Sequence, residues 1–321
     1  MKKRSLTVVV LVILTLIIVV ITVDFMNNRP DRRGDNPFKL EVEQYRKVDP
    51  ALISHKESRN LSLGSLKATC MVYNNGRLYV AGDSSLVVIL PDGTAEKRYN
   101  ILPGPTSLLV TESRYYIGYK SFVTEYNLEG DMVKRWDDLG ARAVITNLAG
   151  DGEQLYVADA GNRRVVIYTA AGKRVGVFEG KAEAESGHGF IIPSGNFDLA
   201  VNSYGELWVV NPGKHALENY SDDGRMRGFW ENSSVDIEGF LGCCNPARIT
   251  VMEDGSFITS EKGLIRIKIH DQSGKLKSVV APPSLFEGEK APDLCVDEQG
   301  VVYLLDFDRN VIRIFEPKEN G

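Results

Sequence analysis

A short pattern recurs six times along this chain of 321 residues, and this repetition constrains the fold more than any other feature. Each copy is an apolar–aromatic–apolar triplet or a close variant of one, and the central residues are Tyr79, Tyr116, Tyr156, Trp208, Ile258 and Tyr303. In the first five copies, a dipeptide ending in glycine begins 13 or 15 residues after the centre, and a bulky apolar residue follows six residues after that glycine. The copies lie 37 to 52 residues apart, a spacing typical of propellers and helical arrays.

The segments between these landmarks have the pattern of β-strands. Apolar residues alternate in short runs, such as Ile265, Ile267 and Ile269, and glycine, aspartate, asparagine and serine bound the runs. Beyond the N-terminus, no long stretch has a helical period with caps, which argues against helical repeats. Each repeat therefore predicts four strands. Four-stranded units at this spacing predict an all-β, six-bladed β-propeller over residues 46–321.

The sixth repeat ends too early to form four strands. After Phe315 the chain continues only through a short polar tail that contains Pro317. A three-stranded blade would leave an unpaired edge in the ring. Residues 52–61 stand where the fourth strand of a preceding blade would lie, so we expect them to pair with the last blade and close the ring. The alternative is an irregular arm on the surface.

The third repeat carries a more specific resemblance. Residues 156–168 read YVADAGNRRVVIY, and this resembles the NHL repeat, a family of six-bladed β-propellers with the phrase YVADxxNxRIxxF. The sixth repeat fits the same frame with Asp306 but lacks the asparagine and arginine at their usual places, and the fourth has Asn211 at the aspartate position. The resemblance implies the fold and includes many membrane-anchored bacterial proteins. It implies little about function, because such propellers serve many purposes.

The N-terminus predicts a membrane anchor. The chain begins with the cationic Lys2-Lys3-Arg4, and residues 5–23 carry no charge and are rich in valine, isoleucine and leucine. We predict that residues 1–23 are a cytoplasmic n-region and an uncleaved transmembrane signal anchor, with a cleaved signal peptide as the alternative. Residues 24–45 predict a polar stalk. The cationic N-terminus predicts that the propeller lies outside the cytoplasm, in the periplasm or on the cell surface, tethered to the cell membrane.

The charge of the chain argues against nucleic acid as a partner. The net charge is −5, and it becomes −8 when the three cationic residues at the N-terminus are set aside. Nucleic-acid binders usually present a basic face, whereas the basic residues here are dispersed. We therefore expect a monomeric propeller that binds no nucleic acid.

One face of the predicted propeller collects the candidate binding residues. The junction between the second and third strands of each blade is occupied in order by Gly82, Tyr119, Asp159, Asn211, Glu261 and Asp306. Carboxylate and amide oxygens there would suit Ca²⁺ or a polar ligand. Alternatively, each side chain caps its own turn through nearby backbone N–H groups. Arg248 and Lys262 would bind an anionic ligand on the same face or pair with Glu261.

The loop leading into the fifth blade contains the adjacent Cys243 and Cys244. Three interpretations stay open: a structural turn or vicinal disulfide, a metal-ligand or redox site (Zn²⁺ being the metal that thiolates suit), or free reactive thiols. His188 stands between glycines in another loop, where it would either ligate or titrate, or simply be solvated. Connectivity among four cysteines cannot be read from sequence.

These features favour a membrane-tethered, extracytoplasmic, NHL-type propeller that binds a protein, peptide or glycan on its channel face. The alternatives are a metal-assisted lyase or hydrolase at the channel mouth, and a redox role centred on Cys243 and Cys244. The sequence contains no nucleophile elbow, phosphate loop or HExxH motif. The cofactor and the catalytic residues, if any, are therefore left open.

Overall fold

The computed structural model describes residues 2–27, 42–181 and 189–318, in two compact units. The first unit contains helix α1, Lys2–Asn27, so residues 24–27 of the predicted stalk are helical. Residues 28–41 of that stalk lie outside the described residues, and residues 42–45 belong to a short 3₁₀ helix. Within the described part of the chain, we find no helix that is both long enough and apolar enough to span a membrane. The structure therefore gives no support to the transmembrane anchor predicted over residues 1–23.

The second unit, residues 42–321, contains six four-stranded sheets, which confirms the predicted all-β, six-bladed propeller. Strand β1, His55–Ser62, precedes the blades. The first blade consists of β2 Ala68–Asn74, β3 Arg77–Gly82, β4 Ser85–Ile89 and β5 Ala95–Asn100. The second consists of β6 Ser107–Val110, β7 Tyr115–Gly118, β8 Val123–Tyr126 and β9 Met132–Arg135. The third consists of β10 Ile145–Gly150, β11 Gln154–Asp159, β12 Arg164–Thr169 and β13 Arg174–Phe178.

The fourth blade consists of β14 Leu199–Val201, β15 Leu207–Asn211, β16 Ala216–Tyr220 and β17 Met226–Glu231. The fifth consists of β18 Arg248–Val251, β19 Phe257–Ser260, β20 Ile267–His270 and β21 Leu276–Ala281. The sixth consists of β22 Asp293–Val296, β23 Val302–Asp306 and β24 Val311–Pro317, together with β1. Short 3₁₀ helices span Val42–Arg46, Pro50–Leu52 and Pro283–Leu285.

The first strand of each blade lies innermost. These strands contact one another in a closed cycle, from β2 through β6, β10, β14, β18 and β22 back to β2. Neighbouring strands within every blade are antiparallel, and their facing backbone N–H and C=O groups bond to each other. The cycle leaves a channel along its axis, and side chains of the six innermost strands line it.

The ring closes through the two ends of the propeller. Strand β1 pairs antiparallel with β24, from His55 opposite Pro317 to Ser62 opposite Val311, and becomes the outermost strand of the sixth blade. The buried Arg313 of β24 donates two hydrogen bonds to the Glu57 carboxylate of β1, at 2.9 and 2.7 Å. The sixth blade therefore has four strands although its own repeat supplies three.

The repeated glycine and the repeated bulky residue are two halves of one contact between neighbouring blades. Gly172, in the turn between β12 and β13, has a φ of +74° and faces Trp136 of the preceding blade. A Cβ atom at Gly172 would fall within the indole ring, so both the backbone conformation and the close packing require glycine. The same contact joins four other pairs: Leu61 with Gly93, Tyr99 with Gly130, Phe178 with Gly224, and Trp230 with Gly274.

The loops that lead into the innermost strands lie on the same face as the turns between second and third strands. The N–H of Lys67, just before β2, donates to Asp83 in the β3–β4 turn at 3.0 Å, and the N–H of Val144, before β10, donates to Asp159 at 3.1 Å. We call this face the upper face. The channel opens at its centre.

Candidate functional site

Six equivalent positions form a polar ring where the channel opens on the upper face. Each position lies within two residues of the start of an innermost strand. It comes two residues before the residue that pairs with the centre of the recurring triplet. One residue from each blade occupies it: Cys70, Ser107, Asn147, Asp198, Arg248 and Asp293. All six line a cavity of about 300 Å³. We call these six residues the channel ring.

Asp198 links three blades within the channel ring. Its carboxylate accepts a close hydrogen bond from Asn147 Nδ2 in the third blade and one of 2.7 Å from the N–H of Ile249 in the fifth. The residue is only 2 % exposed. Burial raises the pKa of Asp198 to about 6; Arg248 opposes this shift and Asp293 adds to it. The carboxyl group therefore holds its proton more tightly than an exposed aspartate does.

Arg248 extends across the channel from the fifth blade. Its Nη1 donates to the carbonyl oxygen of Thr146 in the third blade at 3.4 Å, and its Nε lies 4.0 Å from Oδ1 of Asp293. The described residues provide no closer partner for Nε and none for Nη2. A guanidinium group carries five N–H donors. Arg248 therefore keeps donors available for a ligand inside a largely enclosed site.

Asp293 holds the sixth blade to the first while facing Arg248. Its Oδ2 accepts a hydrogen bond of 2.9 Å from the N–H of Met71, which leaves Oδ1 on the side of the guanidinium. Burial raises the pKa of Asp293 as well. The channel ring thus presents one cation flanked by two acidic groups, and it can meet both acceptor and donor groups of a ligand.

The remaining ring positions are small. Burial raises the pKa of the Cys70 thiol to about 12, so this thiol stays protonated and unreactive. The Ser107 hydroxyl is buried and has no hydrogen-bond partner among the described residues. These two residues widen the cavity on the side opposite Arg248 and Asp198, where a ligand has room.

The predicted turn residues do not converge on the channel. Asp159 is fully buried and accepts hydrogen bonds from Val144 N, Asn162 N, Asn162 Nδ2 and Arg164 Nε, at 2.7 to 3.3 Å. The aspartate, asparagine and arginine of the NHL-like phrase therefore bind one another. Together they attach the β11–β12 turn to the loop that leads into the same blade.

The other predicted turn residues also make contacts within their own blades or with the loop that leads into the blade. Asn211 binds Ile191 N at 2.9 Å and Glu218 at 3.0 Å, and Asp306 accepts from the N–H groups of Asp308 and Arg309 at 3.2 and 3.1 Å. None of these side chains lines the central cavity. Their geometry matches the capping alternative, in which each side chain binds nearby N–H groups.

Tyr119 and Glu261 are likewise enclosed. The Tyr119 ring stacks on Phe122 with centroids 5.0 Å apart, and its hydroxyl lies 3.4 Å from that of Tyr126. Glu261 is fully buried and binds Arg266 through two hydrogen bonds of 2.9 and 2.6 Å. Neither residue is available to a ligand on the upper face.

A second cavity, of about 490 Å³, lies beside the adjacent cysteines. Cys243, Asn245, Lys262 and Arg46 are among its lining residues. The sulfur atoms of Cys243 and Cys244 are 3.2 Å apart; Cys243 is exposed and Cys244 is buried. Lys262 therefore lies at this second cavity, whereas Arg248 lies in the channel, so the structure separates these two predicted binding residues.

His188 lies outside the described residues, so its predicted role stays a prediction. Of the other histidines, His55, His215 and His270, none lines the central cavity. Within residues 2–27, 42–181 and 189–318, no group of three or more histidine, cysteine, aspartate or glutamate side chains could hold a metal ion. The calcium and zinc sites suggested by the sequence have no counterpart in this part of the chain.

Sequence reasoning identified Arg248 but missed the other five members of the channel ring. A usable signal was present, because each ring residue stands nine or ten residues before the centre of its triplet, from Cys70 before Tyr79 to Asp293 before Tyr303. Aligning the repeats on their turn acids directed attention to the wrong strand junction. Aligning the innermost strands would have shown the ring.

Comparisons with solved structures find the same fold in proteins of low sequence identity. A catalytically inactive variant of virginiamycin B lyase from Staphylococcus aureus, solved with quinupristin, has a TM-score of 0.58 at 12 % identity, covering 79 % of this chain and 82 % of that one. A streptogramin B lyase structure has a TM-score of 0.57 at 10 % identity, with 84 % and 100 % coverage. A protein of unknown function from Bacteroides thetaiotaomicron has a TM-score of 0.56 at 19 % identity, with 83 % and 73 % coverage.

These likenesses show the fold alone. No known protein family matches the chain, and no curated protein is similar to it. The resemblance of residues 156–168 to the NHL repeat therefore stays a resemblance. What is shown is a six-bladed β-propeller whose structural neighbours include lyases and a protein of unknown function.

Proposed function

We propose that this propeller is a binding module that takes a segment of a protein, peptide or glycan into the channel mouth on its upper face. The channel ring supports this proposal most directly. All six blades contribute a polar or thiol side chain at one repeat position, and these side chains enclose about 300 Å³. Pockets of this size with a few convergent polar groups are typical ligand sites.

The polarity of the channel ring indicates the chemistry of the ligand. Arg248 has unused donors, and Oδ1 of Asp293 faces the guanidinium group of Arg248 across the channel. A ligand that offers an acceptor to Arg248 and a donor to Asp293 would satisfy both. Peptide backbones and sugar hydroxyls offer both kinds of group within a few ångströms. Neither needs a net charge, which matches a site with one cation between two acidic groups.

A lyase or hydrolase is the competing function, because two of the structural neighbours are named as lyases. The same channel would then hold the substrate and convert it. The predicted location of the propeller outside the cytoplasm remains a prediction in either case. A binding assay that also monitors conversion separates the two functions.

The test is binding of the purified chain to arrays of immobilised peptides and glycans, followed by affinity measurement on the spots that bind. We expect Arg248→Met and Asp293→Asn each to weaken binding at least ~10-fold, since each leaves a buried polar group of the ligand unpaired at a cost of about 1–3 kcal/mol. The control is Arg227→Met, which removes an exposed arginine from β17. Melting temperatures show whether the variants are folded.

Three results would contradict the proposal: no binding by the unaltered chain, binding that Arg248→Met and Asp293→Asn retain, or equal loss with Arg227→Met. Mass spectrometry of the bound peptide or glycan after prolonged incubation detects conversion. A product that the folded Arg248→Met chain does not make would establish the lyase or hydrolase instead.

A further inference from the structure

Two buried cations anchor the loop that carries the adjacent cysteines. Residues 232–247 connect the fourth blade to the fifth, and Arg266 and Lys268 of the fifth blade lie beneath them, 1 % and 0 % exposed. Arg266 donates to the carbonyl oxygens of Asp236 and Gly239 at 2.9 and 3.0 Å. Lys268 donates to that of Gly239 at 2.6 Å. The buried Glu261 binds both cations, with N–O distances of 2.6 and 3.0 Å.

Such an arrangement fixes the loop in one conformation. Removing charges from water is costly, and three buried charged groups persist only where their hydrogen bonds are well satisfied. Here the satisfying groups are main-chain carbonyls of the loop itself. The segment just before Cys243 is therefore held by side chains that a simple connection between blades does not require.

Asn245 fixes the segment just after the two cysteines. Its Nδ2 donates to the carbonyl oxygens of Leu241 and Lys262 at 2.6 and 3.1 Å, and its Oδ1 accepts from the N–H of Lys262 at 2.8 Å. Both sides of the cysteine pair are thus attached to the β19–β20 turn. This leaves the two sulfur atoms 3.2 Å apart, one exposed and one buried.

The surroundings of the two thiols differ. Burial acts to raise the pKa of Cys244, but hydrogen bonding from Ser194 and Cys243 and the nearby Lys262 outweigh it, so the pKa is lowered. The pKa of Cys243 is raised, chiefly because its thiol hydrogen-bonds to Cys244. Lys262 Nζ also lies 3.5 Å from Ser194 Oγ. The buried sulfur is the better thiolate, and the exposed sulfur is the one that a reagent can reach.

We propose that Cys243 and Cys244 are a thiol–disulfide exchange site for a low-molecular-weight disulfide that enters the adjoining cavity. This cavity, of about 490 Å³, is lined by Cys243 and is large enough for such a compound. The site lies outside the channel ring. The inference therefore goes beyond the proposed binding function and is independent of it.

The exchange proceeds in two steps that balance. Cys244 starts as the thiolate and takes the proton of Cys243 while Cys243 attacks one sulfur of the compound. A bond forms between the Cys243 sulfur and that sulfur, the compound's disulfide breaks, and its other half leaves as a thiolate. Cys244 then releases the proton to solvent and attacks the Cys243 sulfur, which expels the second half. Two electrons pass from the protein dithiol to the compound, leaving a Cys243–Cys244 disulfide and two small thiols.

The test uses the full chain with oxidised glutathione as the probe, acid quenching, alkylation and mass spectrometry. We expect the unaltered chain to lose two alkylatable thiols and to yield one peptide with an internal Cys243–Cys244 bridge, with reduced glutathione reversing the change. Cys244→Ser should stop at glutathione attached to Cys243. Cys243→Ser should not react, because Cys244 is buried.

Two further variants complete the test, one at the neighbouring cation and one as a control. Lys262→Met should slow closure of the bridge by on the order of 10-fold, because it removes the cation beside the Cys244 sulfur. Cys295→Ser should react like the unaltered chain, because that thiol is buried in β22 of the sixth blade. The proposal is overturned if the unaltered chain stays a dithiol with excess oxidised glutathione. It is also overturned if the unaltered chain stops at the same mixed disulfide as Cys244→Ser, or if both thiols hold stoichiometric zinc in the purified chain.

Discussion

Asp198 combines a structural role with an electrostatic cost. It accepts hydrogen bonds from Asn147 and from Ile249 N, and so links the third, fourth and fifth blades at the channel. Its burial nevertheless raises its pKa to about 6. An aspartate with a raised pKa binds its proton more tightly in the folded state than in the unfolded one. Its ionisation therefore opposes folding as the pH rises.

This effect gives a prediction for stability against pH. The contribution of Asp198 is absent below pH ~3, where the group is protonated in both states, and reaches about 3 kcal/mol of destabilisation above pH ~6. Relative to Asp198→Asn, the unaltered chain should lose unfolding free energy as the pH rises from ~4 to ~7. Denaturant unfolding across this range measures it.

The matched control is Asp222→Asn, which changes an exposed aspartate in the same blade. The unfolding free energy of Asp222→Asn should change with pH in the same way as that of the unaltered chain. If the curves for Asp198→Asn and Asp222→Asn run parallel to each other, the electrostatic account of Asp198 is wrong.

At the scale of a single element, the loop of residues 232–247 depends on buried charge. Arg266 binds Glu261 and two loop carbonyl oxygens while 1 % exposed. Replacing Arg266 by Met removes its hydrogen bonds to Glu261 and to the two loop carbonyl oxygens, although Lys268 still neutralises the carboxylate. We expect a loss of about 3–5 kcal/mol of unfolding free energy, because each buried polar group left without its partner costs about 1–3 kcal/mol.

Denaturant unfolding measures this loss, and hydrogen exchange in residues 232–247 shows whether the loop opens first. The control is Arg225→Met, since Arg225 and Asp223 form an exposed ion pair at 2.8 Å with side chains 83 % and 56 % exposed. That variant should cost less than ~1 kcal/mol. Equal effects of the two variants would contradict the role assigned to the buried pair.

The elements were largely predictable because their determinants are local. The turn glycines and the bulky residues six positions later recur at fixed spacing, and Gly172 with Trp136 shows why both are needed. The site was less predictable. Asp159 and Glu261 are acidic residues at a suggestive position, yet arginines five residues later, Arg164 and Arg266, engage them. Whether such an acidic side chain binds a nearby arginine or a ligand depends on tertiary contacts that sequence spacing does not encode.

At the scale of the whole molecule, ring closure depends on β1. The strand pairs with β24 along its length, and Glu57 of β1 receives two hydrogen bonds from the buried Arg313. A chain shortened to begin at Gly64 loses β1, which leaves β24 as the unpaired edge of the sixth blade. It also loses Glu57, the carboxylate that Arg313 binds. We expect it to melt at a markedly lower temperature or to aggregate.

A chain that begins at Val42 retains β1 and is the control, since the propeller unit starts there. It should melt cooperatively, at the temperature of the full chain's propeller. Calorimetry and light scattering compare the two shortened chains. Identical melting temperatures and cooperativity would show that β1 does not hold the ring together.

The pairing of β1 with β24 has a consequence for biosynthesis. The ribosome makes β1 before any complete blade, and it makes the partner strand β24 after every other strand of the propeller. Until β24 is made, β1 has no partner, and the turn glycine Gly93 of the first blade lacks a positioned Leu61 to pack against. The nascent propeller is therefore an open arc with unpaired strand edges. Pairing of β1 with β24 is the last step of ring assembly, and before it the chain most needs protection from pairing with other copies of itself.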